Sequence, residues 1–364
     1  MLRDPSMIIL YALTLIGFLF YSYVLVDPNL TFINNPLWNQ FRSIVIPIGY
    51  YQREFSWYIY LILVILLFIF HFNVLKHFNK LNPLKIAFVI GAILLFSYPF
   101  LSHDFFNYMF DAKILTFYHQ NPYLQKALDF PNDPWLRFLQ WTHRSYPYGP
   151  VFLGVSLIPS FLSFGKFLLG FIFFKTTVVV FYFLAAIFLN KMNKKWAIVF
   201  ATHPLILVEG LINGHNDLFA LVLGIMGIFY LYKNKNIFGR IFLILSAGIK
   251  YFTLPIIALT KNKKLLNYLV FILQIGIVVY YSIVSEVQSW YFLALFVFIP
   301  YYEAILSRFN IFFAGLLFSY YPYIRLGGWD TIEKVNLKHQ IILVFFFLNI
   351  IWLVLRGFFK KKED

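Results

Sequence analysis

The stretch SHDFFNYMFDAKI (102–114) sets Asp104, Asn107, Tyr108 and Asp111 at i, i+3, i+4 and i+7. On a helix these side chains share one face. The spacing supports two readings. With Ser102 as N-cap, Asp104 lies in the first turn and complements the helix dipole. Alternatively, Asp104 is a working carboxylate whose surroundings Asn107, Tyr108 and Asp111 shape.

A second constellation is NGHND (213–217), set between two apolar runs. Gly214 suits the end of one helix, and Asn216 or Asp217 suits the cap of the next. Neither role uses His215 or both amides. Glu209 precedes them inside an apolar run, where a carboxylate is costly and marks function. SAGIKYFTLP sets Lys250 ten residues after Arg240 and eleven before Lys261. In a straight helix that is about 15 Å from either end, half the hydrocarbon core. At the tip of a hairpin, in a cavity, Lys250 would offer a cation to an anion. WTHRSYPYGP carries His143, Arg144, Tyr146 and Tyr148, and SEVQSWYF carries Glu286, Gln288, Trp290 and Tyr291. Aromatic and basic residues also suit a membrane interface, where Arg144 and His143 would meet lipid head groups.

The elements that must hold these residues are apolar helices. The 364-residue chain is 61% hydrophobic and 12% charged, with a mean hydropathy of +0.74. Soluble domains are closer to half apolar and a quarter charged. Long apolar runs recur from end to end, so the expected fold is an all-α polytopic membrane protein forming a single transmembrane domain. The first run (7–26) lacks a small-residue cleavage site and reads as a retained helix. Cysteine is absent, which excludes disulfides, thiolate metal sites and cysteine nucleophiles.

The net charge of +15 does not indicate nucleic acid. Basic residues fall in short clusters between the runs, at Lys76/Lys80/Lys85, Lys191/Lys194/Lys195, Lys233/Lys235/Arg240, Lys261/Lys263/Lys264 and Arg356/Lys360/Lys361/Lys362. Placing these inside with Arg3 and Arg308 puts 18 of the 30 Lys and Arg on the inner side, with only Asp4, Glu363 and Asp364 among the acids. About ten crossings follow, near 7–26, 56–74, 85–101, 171–190, 196–211, 218–232, 265–284, 291–307, 310–323 and 339–356. The runs 150–165 and 240–259 fit only as half-helices or re-entrant segments. Such backbone is tolerated where it is buried in protein or lines a watery cavity. Both termini are then cytoplasmic. The long outer loop (102–149, with amphipathic helices), NGHND and SEVQSWYF share the outer face.

Taken in order, these features resemble membrane glycosyltransferases of the GT-C superfamily. SHDFFNYMFDAKI, NPY and YPYGP are similar to their first outer loop. HPLILVEGLINGHNDLFALVLG resembles their P-L-x-x-x-E and N-G-H-N-D segment. SAGIKYFTLPIIAL is similar to their small-x-x-x-K-x-x-x-L-P segment. QSWYFLALF is similar to their P-W-Y segment, with Gln288 and Ser289 where His-Pro is common. The resemblance spans roughly 102–300; residues 1–101 and the tail carry no matching motif. The closest members are prokaryotic polyprenol-phosphate-mannose-dependent mannosyltransferases.

The resemblance implies a polyprenyl-phosphate sugar donor, a lipid or glycan acceptor, membrane lipids as surroundings, and inverting transfer at the outer face of a prokaryotic cell membrane. It carries the general-base role to Asp104. A hydroxyl acceptor needs such a base, and a lipid-phosphate leaving group needs cations or hydrogen bonds. Lys250 is the first candidate for the phosphate, followed by Arg144, His143 and His215. His215, Asn216 and Asp217 become wall residues for sugar or phosphate, and Tyr148, Glu209, Trp290 and Tyr291 shape the site. No cofactor is required, although Asp104, His215 and Asp217 together offer ligands for a divalent metal. The competing expectation is a transporter or flippase of a lipid-linked or anionic substrate, since embedded Lys250 and Glu209 suit transport as well.

Overall fold

The computed structural model describes residues 5–27 and 33–360. Arg3, Asp4, Lys361, Lys362, Glu363 and Asp364, all assigned inside by charge, lie outside the described residues. In chain order the α-helices are α1 (Pro5–Tyr21), α2 (Pro36–Tyr50), α3 (Arg53–Lys76), α4 (Pro83–Leu94), α5 (Asp104–Thr116), α6 (Pro150–Leu162), α7 (Phe167–Met192) and α8 (Lys194–Thr202). They continue as α9 (Asp217–Tyr232), α10 (Asn236–Ile249), α11 (Lys264–Val284), α12 (Ile299–Leu306), α13 (Asn310–Phe318), α14 (Tyr321–Leu326) and α15 (Ile332–Lys360). A π-helical segment (Ile206–Ile212) separates α8 from α9, and 3-10 segments Tyr251–Ala258 and Ser289–Phe298 follow α10 and precede α12. Among the described residues the only β contact is an isolated bridge between Lys126 and Ser145.

The helix starts follow from local chemistry. Asn35, Asn82 and Asn193 each accept backbone N–H bonds at the head of α2, α4 and α8, which satisfies donors no helix can pair internally. Proline stands at the start of α2, α4, α6 and α14, where its missing N–H costs nothing.

Five helices are long and apolar enough to cross a membrane: α3, α7, α11, the continuous stretch Ser289–Leu306, and α15 over Ile332–Arg356. A sixth arises if α8 and the π segment, bent by 70°, count as one span. This is fewer than the ten crossings expected from apolar runs, and the reasons are local. The run 85–101 stops being helical after Leu94 because Pro99 disfavours helix in the residue before it, and Tyr98 N bonds Ser22 Oγ instead, at 2.9 Å. The run 196–211 breaks at His203, before Pro204. The run 310–323 divides into α13 and α14. The runs 7–26 and 218–232 fold into helices of 17 and 16 residues, and the run 150–165, expected as a half-helix or re-entrant segment, folds into one of 13.

The run 240–259 folds as a hairpin. α10 ends at Ile249, Lys250 is extended (φ −146°, ψ 120°), and the chain returns as a 3-10 segment. The two legs are tied at their open end, where the Arg240 guanidinium donates to the carbonyls of Ile257 and Leu259. Lys250 is therefore the tip.

Four basic clusters converge at one end of the bundle. Lys194 Nζ bonds Asn79 O at 2.8 Å, Lys195 pairs with Glu303 at 3.0 Å, Tyr301 Oη bonds Thr260 O at 2.9 Å, and Lys261 Nζ bonds Asn234 Oδ1 at 2.8 Å. Glu303 thus sits among lysines, an acid at the basic end that the charge count had not assigned there.

Candidate active site

α5 is buried on every side from Asp104 to Ile114. Its N-terminal Asp104 has its amide bonded by Ser102 Oγ at 3.3 Å. Asp104 Oδ1 accepts the indole N–H of Trp141 at 3.0 Å. One turn on, Asn107 grips the Trp141 backbone, donating to its carbonyl at 3.2 Å and accepting its amide at 3.4 Å. Tyr108 packs edge-on against Tyr148 and Phe152. Burial pushes the Asp111 carboxyl up to about 8, with the Arg144 charge opposing and Asp104 adding to it. Of this face, Asn107 reaches Asp104 through Trp141, whereas Tyr108 packs on Tyr148 and Phe152.

Asp104 opens onto a cavity of about 470 Å³ whose walls also include Trp141, Arg144, Tyr148, Lys250, Trp290 and Tyr291. The Arg144 guanidinium lies 4.6 Å from the Trp141 ring centroid. No carboxylate pairs with it among the described residues. Lys250 enters from the hairpin tip, its Nζ 3.0 and 2.8 Å from the two oxygens of Asp217 and 5.0 Å from the Tyr291 ring centroid. The loop carrying Arg144 docks directly on this tip. Gly149 N donates to Ile249 O at 3.1 Å, and a Cβ on Gly149 would stand 2.0 Å from Gly248 O. Only glycine permits that approach.

NGHND forms the floor behind Asp104. Gly214 turns the chain at φ +68°, as expected of a helix-ending glycine. The capping roles considered for Asn216 and Asp217 are not used, because α9 has no side-chain cap and Asp217 is taken by Lys250. His215 stacks on Trp290 (4.0 Å, 15°). Its Nδ1 is 3.9 Å from Asp104 Oδ2 and its Nε2 is 3.4 Å from Glu209 Oε2. Glu209 is fully buried in the π segment and bonded by Asn213 Nδ2 at 3.2 Å. His143 is exposed, stands edge-on to Trp141, and is not part of the cavity wall. Among the described residues no three His, Asp or Glu side chains are grouped to hold a metal.

Three positions escaped the sequence reading. Trp141 was read only as the start of an interfacial motif. Lys175, fully buried in α7, donates to Ser97 Oγ and to the carbonyls of Leu211 and Ile212 at the end of the π segment. A lysine in mid-run was the signal, the same one that singled out Lys250. Lys338, from the head of α15, holds the cavity rim. Its Nζ bonds Glu286 Oε1 at 2.7 Å and Gln288 Oε1 at 3.1 Å and lies 4.7 Å from the Trp329 ring centroid. Glu286 is held at φ +89°, a region that disfavours side chains and recurs at functional sites.

A carboxylate, two basic side chains and a wall of aromatic rings meet here in one cavity of an apolar helical bundle, an arrangement suited to group transfer. The chain belongs to the alpha-(1->6)-mannopyranosyltransferase family, whose N-terminal domain model matches residues 7–262. It is therefore a mannosyltransferase and a membrane protein. The match reaches back through the N-terminal hundred residues, beyond the motifs from which the resemblance was drawn, and ends before QSWYF. Neither the curated proteins nor the solved structures supply a match.

Proposed function

We propose that this enzyme transfers mannose from a polyprenyl-phosphate donor to a lipid or glycan acceptor by a single inverting displacement, with Asp104 as the base. The observation that carries this reading is the convergence of Asp104, Arg144 and Lys250 on one cavity. Asp104 takes the proton of the acceptor hydroxyl as its oxygen attacks the anomeric carbon. The bond from that carbon to the phosphate oxygen breaks with its electron pair on the phosphate. Arg144, free of any ion pair among the described residues, and Lys250 stabilise the charge that develops there. A phosphate leaves without the strong acid a glycosidase requires, so one carboxylate suffices and no metal is required. The aromatic rim, with Trp290, Tyr291, Tyr323 and Trp329, favours a glycan acceptor, since flat rings offer apolar surface to sugar faces.

The gathering of basic clusters at the end that carries Lys194 and Lys261 supports a cytoplasmic assignment for that end. The cavity then faces outward across a prokaryotic cell membrane, with both termini inside. Membranes containing the protein are expected to move label from radiolabelled polyprenyl-phosphate-mannose into a glycan or lipid product, and Asp104→Asn to abolish the transfer. Wild-type activity in Asp104→Asn sinks the base assignment. Tracer flux into vesicles without a covalent product would replace transfer by transport.

A further inference from the structure

Glu209 is fully buried, and among the described residues its Oε1 makes no hydrogen bond, with the likewise unbonded Tyr320 hydroxyl beside the carboxylate. Ionised, a carboxylate so placed is expensive, and a proton arriving there removes that cost. The nearest basic group is the His215 imidazole, 3.4 Å away at Nε2. The other ring nitrogen faces Asp104 Oδ2 at 3.9 Å. Neither nitrogen makes a hydrogen bond elsewhere, and the stack on Trp290 fixes the ring plane. The imidazole therefore bridges the carboxylate of the cavity and a carboxylate sealed behind it.

We propose that Glu209 and His215 form a proton relay that takes the acceptor's proton from Asp104. This rests on the reading of Asp104 as the base. The relay requires the His215 proton on Nε2, on the side of Glu209, and a free Nδ1 on the side of Asp104. The acceptor hydroxyl gives its proton to Asp104 as the new glycosidic bond forms. Asp104 passes that proton to Nδ1, and the Nε2 proton moves to Glu209 Oε2. Asp104 is an anion again while the dianionic lipid phosphate is still present, and Glu209 ends neutral in its dry site. After product release the protons run back through Asp104 to water, and no other reactant is consumed. The separations exceed hydrogen-bond length; contacts of this kind commonly tighten when substrates bind. Both residues act through Asp104 and are positioning residues for the reaction.

The relay is tested by steady-state kinetics on the full chain in detergent, with polyprenyl-phosphate-mannose and a mannose oligosaccharide. Glu209→Gln retains an amide oxygen for Asn213 but cannot take a proton. It is expected to lower kcat about 10- to 100-fold, with both KM values within about twofold and the melting temperature held. His215→Gln is expected to do the same, and the double variant to be no worse than His215→Gln, since a broken chain is broken once. Wild-type kcat in Glu209→Gln, a loss carried by KM alone, or multiplied losses in the double variant overturns the relay. If Glu209→Gln loses its cooperative melting transition, His215→Gln carries the test, because its ring makes no hydrogen bond in the fold. An active Asp104→Asn sinks the base reading itself, whereas an inactive Asp104→Asn beside a fully active Glu209→Gln sinks the relay alone.

Discussion

Trp141 Nε1 donates to Asp104 Oδ1 over 3.0 Å, the only hydrogen bond among the described residues that fixes this carboxylate from the side of the cavity. The bond holds Asp104 in one rotamer and leaves Oδ2 for a proton. Trp141→Phe keeps an aromatic face beneath Arg144 and removes the donor. Hydrogen bonds to charged groups contribute about 1.5–3 kcal/mol, and part of that reaches the transition state. We expect kcat to fall about tenfold, equivalent to about 1.4 kcal/mol, with donor KM unchanged. An unaltered kcat would mean that Asp104 is oriented by other contacts.

Arg144 and Lys250 face the same space in different states. Lys250 is spent on Asp217, whereas Arg144 rests on a ring face with no carboxylate. Arg144→Ala is therefore expected to raise donor KM at least tenfold with little change in melting temperature. Lys250→Ala is expected to weaken donor binding more than acceptor binding and also to destabilise the fold, because it strands a buried Asp217. Breaking such pairs costs about 3–5 kcal/mol. Adding Asp217→Ala should restore much of the melting temperature but not the donor KM. Recovery of both would make Lys250 purely structural.

The site was more legible in the sequence than the helix count. Polar residues stranded in apolar runs are costly, so NGHND, Glu209 and Lys250 announced themselves; the structure puts Lys250 in the cavity wall and the others buried behind it. The same cost argument applied to Lys175 but was not pursued, since that residue sits in an otherwise unbroken run. Trp141 and Lys338 gave no such signal, because aromatic and basic residues at membrane boundaries are ordinary. Fewer helices than expected are long enough to cross, because apolarity does not report backbone geometry. Pro99 and the break at His203 interrupt runs whose composition is largely apolar, and buried runs such as 218–232 need only reach a neighbouring helix.

Asp111 predicts a pH effect with a definite sign. Burial raises its carboxyl from 3.8 to about 8, so the folded protein holds a proton that the unfolded chain releases. The stability this group contributes is full below about 4, declines as pH rises, and is gone above about 8. Asp111→Asn cannot titrate. The melting temperature of the wild type relative to Asp111→Asn should therefore fall between pH 5 and 8 and level off beyond it, with transfer activity at pH 6 retained. Parallel curves for the two proteins would place the Asp111 proton elsewhere.

Lys175 holds the floor of the site in shape. Its Nζ donates to the Leu211 and Ile212 carbonyls where the π segment gives way to Asn213 and Gly214. A π segment spends one residue more per turn than an α-helix and persists where tertiary contacts hold it. Lys175→Met preserves the length of the side chain and removes every donor. Each buried carbonyl left unpaired costs about 1–3 kcal/mol. We expect a clear drop in melting temperature together with a loss of kcat, since His215 and Asp104 lie directly beyond this turn. Lys175→Arg keeps N–H donors but adds bulk in a fully packed position, so it should recover only part of the melting temperature. If Lys175→Met melts like the wild type, the π segment is stable without this donor, and the geometry of NGHND must be set by the Gly214 turn alone.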